Sequence, residues 1–184
     1  YIRGEVAHRI TALPDTSHYS SHEYQYAMSN RTNDDGVLIG NAVAFKRISD
    51  RRDGGNEYLD FAYFTPGHDD LITRGNGVVD MPGKFYAFAE RFIPHKEGKK
   101  WDWYGNVRYA AEGLDGPWTG QKEILIEPTY LVNDKLSLST SLYWLNNPDW
   151  LLWQGDNKLG TFHSNLLQFS ADATWIINNK QELR

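Results

Sequence analysis

Cysteine is absent from the chain, so it has neither a disulfide framework nor thiolate chemistry, and redox usage gives no clue to compartment. No run approaches the ~18 to 20 uninterrupted apolar residues that a membrane-spanning helix needs, which excludes a helical membrane protein. Base is in short supply: 19 Lys and Arg stand against 24 Asp and Glu, a formal charge of −5, and no basic stripe is present. Phosphate backbones attract the opposite composition, so nucleic acid is excluded as a partner. Helical periodicity is nearly missing, as are fixed-period repeats and low-complexity tracts. No G-x-S-x-G, phosphate loop, dinucleotide fingerprint or Cys/His cluster occurs, which leaves no catalytic residue and no cofactor to assign.

Aromatic residues are plentiful. Seven Trp, 11 Tyr and 8 Phe make up 14% of the chain, a content that suits either an aromatic belt at a membrane interface or a carbohydrate-binding surface. The 184 residues are enough for one sheet-based domain with a sizeable core. The negative mean hydropathy looks soluble, yet barrel strands alternate lipid-facing and lumen-facing side chains, so it does not exclude a β-barrel.

Period-two alternation dominates. Over 135–144, Leu136, Leu138, Thr140, Leu142 and Trp144 fall on one face, with Ser137, Ser139, Ser141 and Tyr143 on the other. Its partner is 121–132, where Ile124, Ile126, Tyr130 and Val132 oppose Glu123, Glu127 and Thr129, joined through a turn at Asn133-Asp134. The pattern runs unusually long over 161–177: Leu167, Phe169, Ala171, Ala173, Trp175 and Ile177 oppose Ser164, Gln168, Ser170, Asp172 and Thr174. It recurs over 101–112, with Trp101, Trp103, Val107, Tyr109 and Ala111 against Asp102, Tyr104, Asn106, Arg108 and Glu112. At the start, Ile2, Val6 and Ile10 oppose Arg3, Glu5, Arg9 and Thr11. Weaker strands fit at 22–29, 36–48, 57–64 and 84–93.

These runs predict roughly nine or ten strands, each long enough to cross a bilayer at a tilt, which takes ~9 to 11 residues. Connection lengths alternate: short turns at 133–134 and 178–180 flank a Trp-containing connection over 146–159, and 65–83 is longer still. Outer-membrane barrels show this asymmetry of short periplasmic turns and long outer loops. The connections 12–20 and 49–56 are neither short nor clean. The chain begins at Tyr1 without an initiator Met or signal peptide and stops at Arg184 as a new strand begins, so a piece of a longer barrel is expected.

Candidate chemistry is sparse. His18 and His22 share a helical ligand spacing but precede a strand and lack the Glu of a zinc-protease motif, so no metal site is assigned. The loop from Gly67 to Gly77 places Asp69 and Asp70 near Arg74 without the alternating spacing of a calcium loop; an Arg74 pair with Asp69 or Asp70 is the preferred reading. Glu123 and Glu127 lie about 13 Å apart on one strand face, too far for a glycosidase pair, and read as lumen-facing charge. The sharpest local feature is Asn147 to Asn157. There Trp150 and Trp153, beside Asp149 and Gln154, can stack on sugar rings or anchor a strand end at lipid headgroups, and anchoring or packing is preferred.

The runs DLITRGNGVV, which begins at Asp70, PDWLLWQGDNKLGTF and WIINNKQELR resemble a family of large bacterial proteins. In that family an N-terminal carbohydrate-binding family 9-like domain precedes a C-terminal domain of unknown function, expected to form an outer-membrane barrel. The resemblance covers residues 65–184 and fades before them. It implies that the chain is the C-terminal part of the barrel, that an upstream domain of the same protein is a partner, and that a short strand follows Arg184. It implies no catalytic residue.

The sequence therefore predicts an all-β chain of antiparallel up-and-down strands, a segment of a bacterial outer-membrane barrel. Its partners would be membrane lipid, a glycan or small solute, and the upstream domain, in a transport, channel or surface-display role. The rival is a soluble β-sandwich or jelly roll, periplasmic or secreted, that binds carbohydrate through Trp150 and Trp153; a glycoside-active enzyme on that scaffold ranks below both. The rivals differ in which strand face is wet.

Overall fold

The computed structural model describes residues 2–34, 36–74, 76–96, 98–156, 158–178 and 181–183. The described residues form strands and no helix: β1 (Ile2–Ile10), β2 (Tyr19–Thr32), β3 (Leu38–Arg51), β4 (Asn56–Phe64), β5 (Gly67–Asp69), β6 (Val79–Met81), β7 (Lys84–Ile93), β8 (Trp101–Ala110), β9 (Gln121–Asn133), β10 (Leu136–Gly155), β11 (Lys158–Asn178) and β12 (Gln181–Leu183). All but β5 and β6 lie in one sheet in chain order, every neighbour antiparallel, with the three-residue β12 last. β5 and β6 pair with each other inside the β4–β7 connection. The all-β, up-and-down architecture is as the alternation predicted. Among the described residues β1 contacts only β2 and β12 only β11, so the sheet is open, with no barrel closed within it.

Three expectations need correction. The stretch 146–159 is no connection: β10 and β11 continue through it as one long hairpin, paired as far as Gly155 and Lys158. Pro148 and Asp149 bulge where Asn147 pairs with Ser164 and Trp150 next pairs with Phe162, so a Pro that would break a ladder sits where no ladder bond is needed. Second, β2 and β3 are longer than 22–29 and 36–48, and the untidy connections around them shrink to 11–18 and 52–55. The turn expected at 178–180 falls partly outside the described residues, although Asn178 pairs with Gln181. Third, the turn at 133–134 is displaced by one: Asn133 Oδ1 accepts from the backbone N–H groups of Lys135 (2.8 Å) and Leu136 (3.0 Å), closing an Asx turn around Asp134 and Lys135.

Up-and-down order sorts the connections to two ends. One, the turn end, carries 11–18, 52–55, 94–100 and 134–135. The other, the loop end, carries 33–37, 65–83, 111–120 and the tip of the β10–β11 hairpin. The 65–83 connection and the 150s thus share an end, as the strand count from the sequence requires.

Side chains sort just as cleanly by face. Ladder partners share a face, so Val6, Tyr26, Phe45 and Phe61 line up on one, and Arg9, Glu23 and Ile48 on the other. The first face is apolar and uncovered: Leu142 is 44% exposed and Phe169 68%. Its apolar segment does not follow the ladder rows. The row through Phe45 and Phe61 continues to Ala87, Tyr109, Lys122 and Asn146, leaving apolar character at β9. The row through Leu142 and Ile126 runs to Gly105, Arg91, Glu57, Ser49 and His22, polar by the time it reaches β4. Apolar side chains centre on Tyr26 in β2, level with Asn146, and on Thr140 in β10, so the stripe shifts by about one residue per strand.

Little is buried inside the sheet itself. The buried apolar set is Ala62, Met81, Ala110, Ala111 and Leu151. The accessible surface is 12193 Å², whereas a compact soluble monomer of this mass exposes about 9,000 Å². A one-layer sheet accounts for the excess.

Candidate functional site

The polar face carries interacting polar groups along its length. Arg108 Nη1 lies 3.0 Å from Glu123 Oε1, and its Nη2 3.7 Å from Glu112. Tyr104 donates to Glu90 at 2.7 Å and accepts from Asn106 at 3.3 Å. Tyr58 donates to Asp60 at 3.2 Å with the Lys46 ammonium 5.5 Å from its ring centroid. Glu123 and Glu127 sit on this face as separate charges, Glu127 opposite Tyr104, and make no hydrolytic pair. The face therefore offers water a wall of acids, bases and phenols, fixed by pairing across strands.

At the loop end, Trp153 and Leu159 meet Thr73, Asn76, Gly77, Val78 and Val79 around a shared cavity, which joins the hairpin to the 65–83 connection. Trp150 pairs with Phe162 and Trp153 with Leu159 without an intervening irregularity. Three residues apart on a strand, the two rings point to opposite sides, so they form no common stacking platform. Trp150 is 45% exposed, and Gln154 is exposed beside the tip.

The Asp69, Asp70 and Arg74 group is likewise not one site. Asp69 Oδ1 accepts from the backbone N–H groups of Leu71 (2.9 Å) and Ile72 (3.0 Å), a local turn cap in place of the expected ion pair. Arg74 is exposed with φ of 54° and has no carboxylate partner among the described residues. What holds this loop is Thr73, unremarked in the sequence and 2% exposed: its hydroxyl lies 2.6 Å from the Gly77 carbonyl and 3.0 Å from that of Asp70. A buried hydroxyl inside a polar loop leaves no periodic signal.

Asp149 is the group in this region with unusual chemistry. It is 1% exposed, and neither carboxyl oxygen makes a hydrogen bond of ordinary geometry. Burial pushes its carboxyl above the ordinary carboxylate range and Asp115 pushes the same way; the Gly113 and Asp149 backbone N–H groups oppose the shift without cancelling it. The carboxyl rests directly on Gly113, where a Cβ would overlap Oδ2. Neighbouring Asn147 donates to Glu112 (3.3 Å) and Gln121 (3.1 Å), tying the bulge to the ends of β8 and β9.

At the turn end the apolar face gives way to charge and rings. Glu57 gathers Arg47 (3.7 Å), Arg51 (3.4 Å) and Arg91 (3.5 Å) and accepts from the Tyr19 hydroxyl at 2.9 Å. Arg51 also grips Asp53 through two bonds of 3.2 Å, which holds the Asp53 carboxyl well below the usual range. His22 shares a 2.8 Å hydrogen bond with Ser49, and no group of three potential metal ligands gathers among the described residues.

No protein-family model, curated protein or solved structure matches this chain.

Proposed function

We propose that the chain forms wall of a bacterial outer-membrane β-barrel, its apolar face against lipid and its polar face lining a wet interior through which a small polar solute passes. The observation that carries this reading is the oblique apolar stripe. A shift of about one residue, ~3.3 Å, per strand spacing of ~4.8 Å corresponds to a tilt of about 35°. Barrel strands tilt by about 35 to 45°, so a stripe that slants across the ladder becomes a level band once the strands tilt.

The band is also edged as a membrane band is. Trp101 and Trp103 stack at 5.9 Å and Trp101 meets Tyr130 at 4.8 Å on the turn side, while Phe85 contacts Tyr109 (6.2 Å) and Trp118 (5.5 Å) on the loop side. A carbohydrate-binding sandwich would bury the apolar face under a second layer and hold a sugar between Trp150 and Trp153. The described residues form one layer, and those rings point apart. The resemblance drawn from residues 65–184, to a domain of unknown function expected to form an outer-membrane barrel, points the same way and adds surface display of the loop end as a companion role.

Membrane fractionation of the full-length protein tests this. It should sediment with outer membranes, survive a high-salt wash and be released by detergent. Recovery as a folded monomer in plain buffer would put the sandwich first.

A further inference from the structure

Beyond the wall itself, we infer that the turn end of the apolar face holds a binding site for the phosphate of an anionic glycerophospholipid headgroup; this rests on the membrane reading above. The site is a cavity of about 620 Å³ between the 52–55 and 94–100 connections. Arg51, Lys96, Lys99 and Lys100 line it against one described carboxylate, Asp53. Asp53 is already shared, by Arg51 and by Lys96 at 3.2 Å, so it cannot also neutralise the remaining two lysines. Lys100 donates to the Val132 carbonyl at 2.9 Å and lies 5.8 Å from the Tyr130 ring centroid, contacts that orient the ammonium and leave its charge in place. In the sequence the connection adds Glu97, so Lys96, Lys99 and Lys100 still outnumber acid three to one there.

The other wall of the cavity is Trp101, Trp103 and Tyr130, the aromatic edge of the apolar band. Cations beside rings at the rim of an apolar band match a molecule with an anionic head and an apolar tail. A free anion would use the cations and ignore the rings. Position selects the lipid source: the two longest connections, 65–83 and 111–120, both lie at the loop end, which leaves the turn end as the side that in outer-membrane barrels faces the periplasm and its phospholipid leaflet.

The test uses the full chain folded in zwitterionic detergent micelles. The probes are short-chain phosphatidylglycerol, short-chain phosphatidylcholine and inorganic phosphate, and the readout is the indole N–H resonances of Trp101 and Trp103. Phosphatidylglycerol should shift both resonances saturably, with phosphatidylcholine far weaker and phosphate inert at the same concentration. Lys99→Gln with Lys100→Gln, both at exposed positions, should weaken binding about tenfold or more. Should that variant misfold, raising salt on the unsubstituted chain must weaken phosphatidylglycerol binding. Equal response to phosphate would make this a free-anion site; equal response to phosphatidylcholine, an unchanged variant or salt-independent binding would reduce it to an aromatic belt, and each overturns the inference. If these titrations fail while the apolar face still labels as lipid-facing, only the headgroup site falls; if that face labels as wet, the membrane reading falls with it.

Discussion

A single side chain reports which solvent its face meets. Ala171 lies opposite Thr140, at the centre of the apolar stripe on β11, and Ser170 beside it points to the polar face. Arg at a lipid-facing midplane position costs ~2 to 4 kcal/mol. Ala171→Arg should lose that much in denaturant unfolding from lipid or detergent, and Ser170→Arg far less; equal losses would contradict the facing of β11. Asp149 makes a second prediction, in pH. Its folded carboxyl sits above the unfolded value, so the folded state binds the proton more tightly. That contribution is present at low pH and is lost as pH rises through the raised value. Hydrogen-exchange protection of the 111–120 backbone should therefore fall as pH rises above the ordinary Asp range, and Asp149→Asn should flatten the profile. A profile that rises with pH would mean that the carboxylate, not the acid, is the docked form.

At the scale of elements, docking of 111–120 on the β10 bulge depends on Gly113. Its Cα hydrogen is all that fits beneath the Asp149 carboxyl, so Gly113→Ala should cost ~1 to 3 kcal/mol of local stability, seen as faster proteolysis within 111–120. Unaltered cleavage would show that the loop is held elsewhere. This level also marks where the sequence stops being legible. Strands whose alternation is apolar against polar, such as β8, read to within two residues, because one face is defined by solvent. The alternation shows only part of β2 because its apolar-face positions are His22, Tyr24 and Asn30 as well as Tyr26 and Met28, residues that do not contrast with their neighbours. Asn147-Pro148-Asp149 and Gly155 carry turn chemistry, yet the first three build a bulge and only Gly155, with φ of 86°, ends the strand. A loop there would allow Trp150 and Trp153 to share one platform; the continuous strand puts them on opposite faces. The turn-end cavity was half visible: Lys96 to Trp103 are adjacent in sequence, but Arg51 and Asp53 arrive through the β3–β4 turn, a meeting that only the register sets.

For the molecule as a whole, the governing fact is a one-layer sheet with open edges and an uncovered apolar face. In water such a surface aggregates. In a bilayer the apolar face meets hydrocarbon, although both sheet edges must still find backbone partners. The absence of cysteine allows a direct test, because any thiol introduced is the only one present. Single cysteines at Val107, Leu142 and Phe169 on the apolar face, and at Asn106, Ser141 and Ser170 on the polar face, can each be given to a water-soluble maleimide and, separately, to a fluorophore read against a bilayer-embedded quencher. A lipid-facing band predicts maleimide reaction at the second three and quenching confined to the first three. Quenching at neither set, or wet thiols on the apolar face, would contradict a barrel wall.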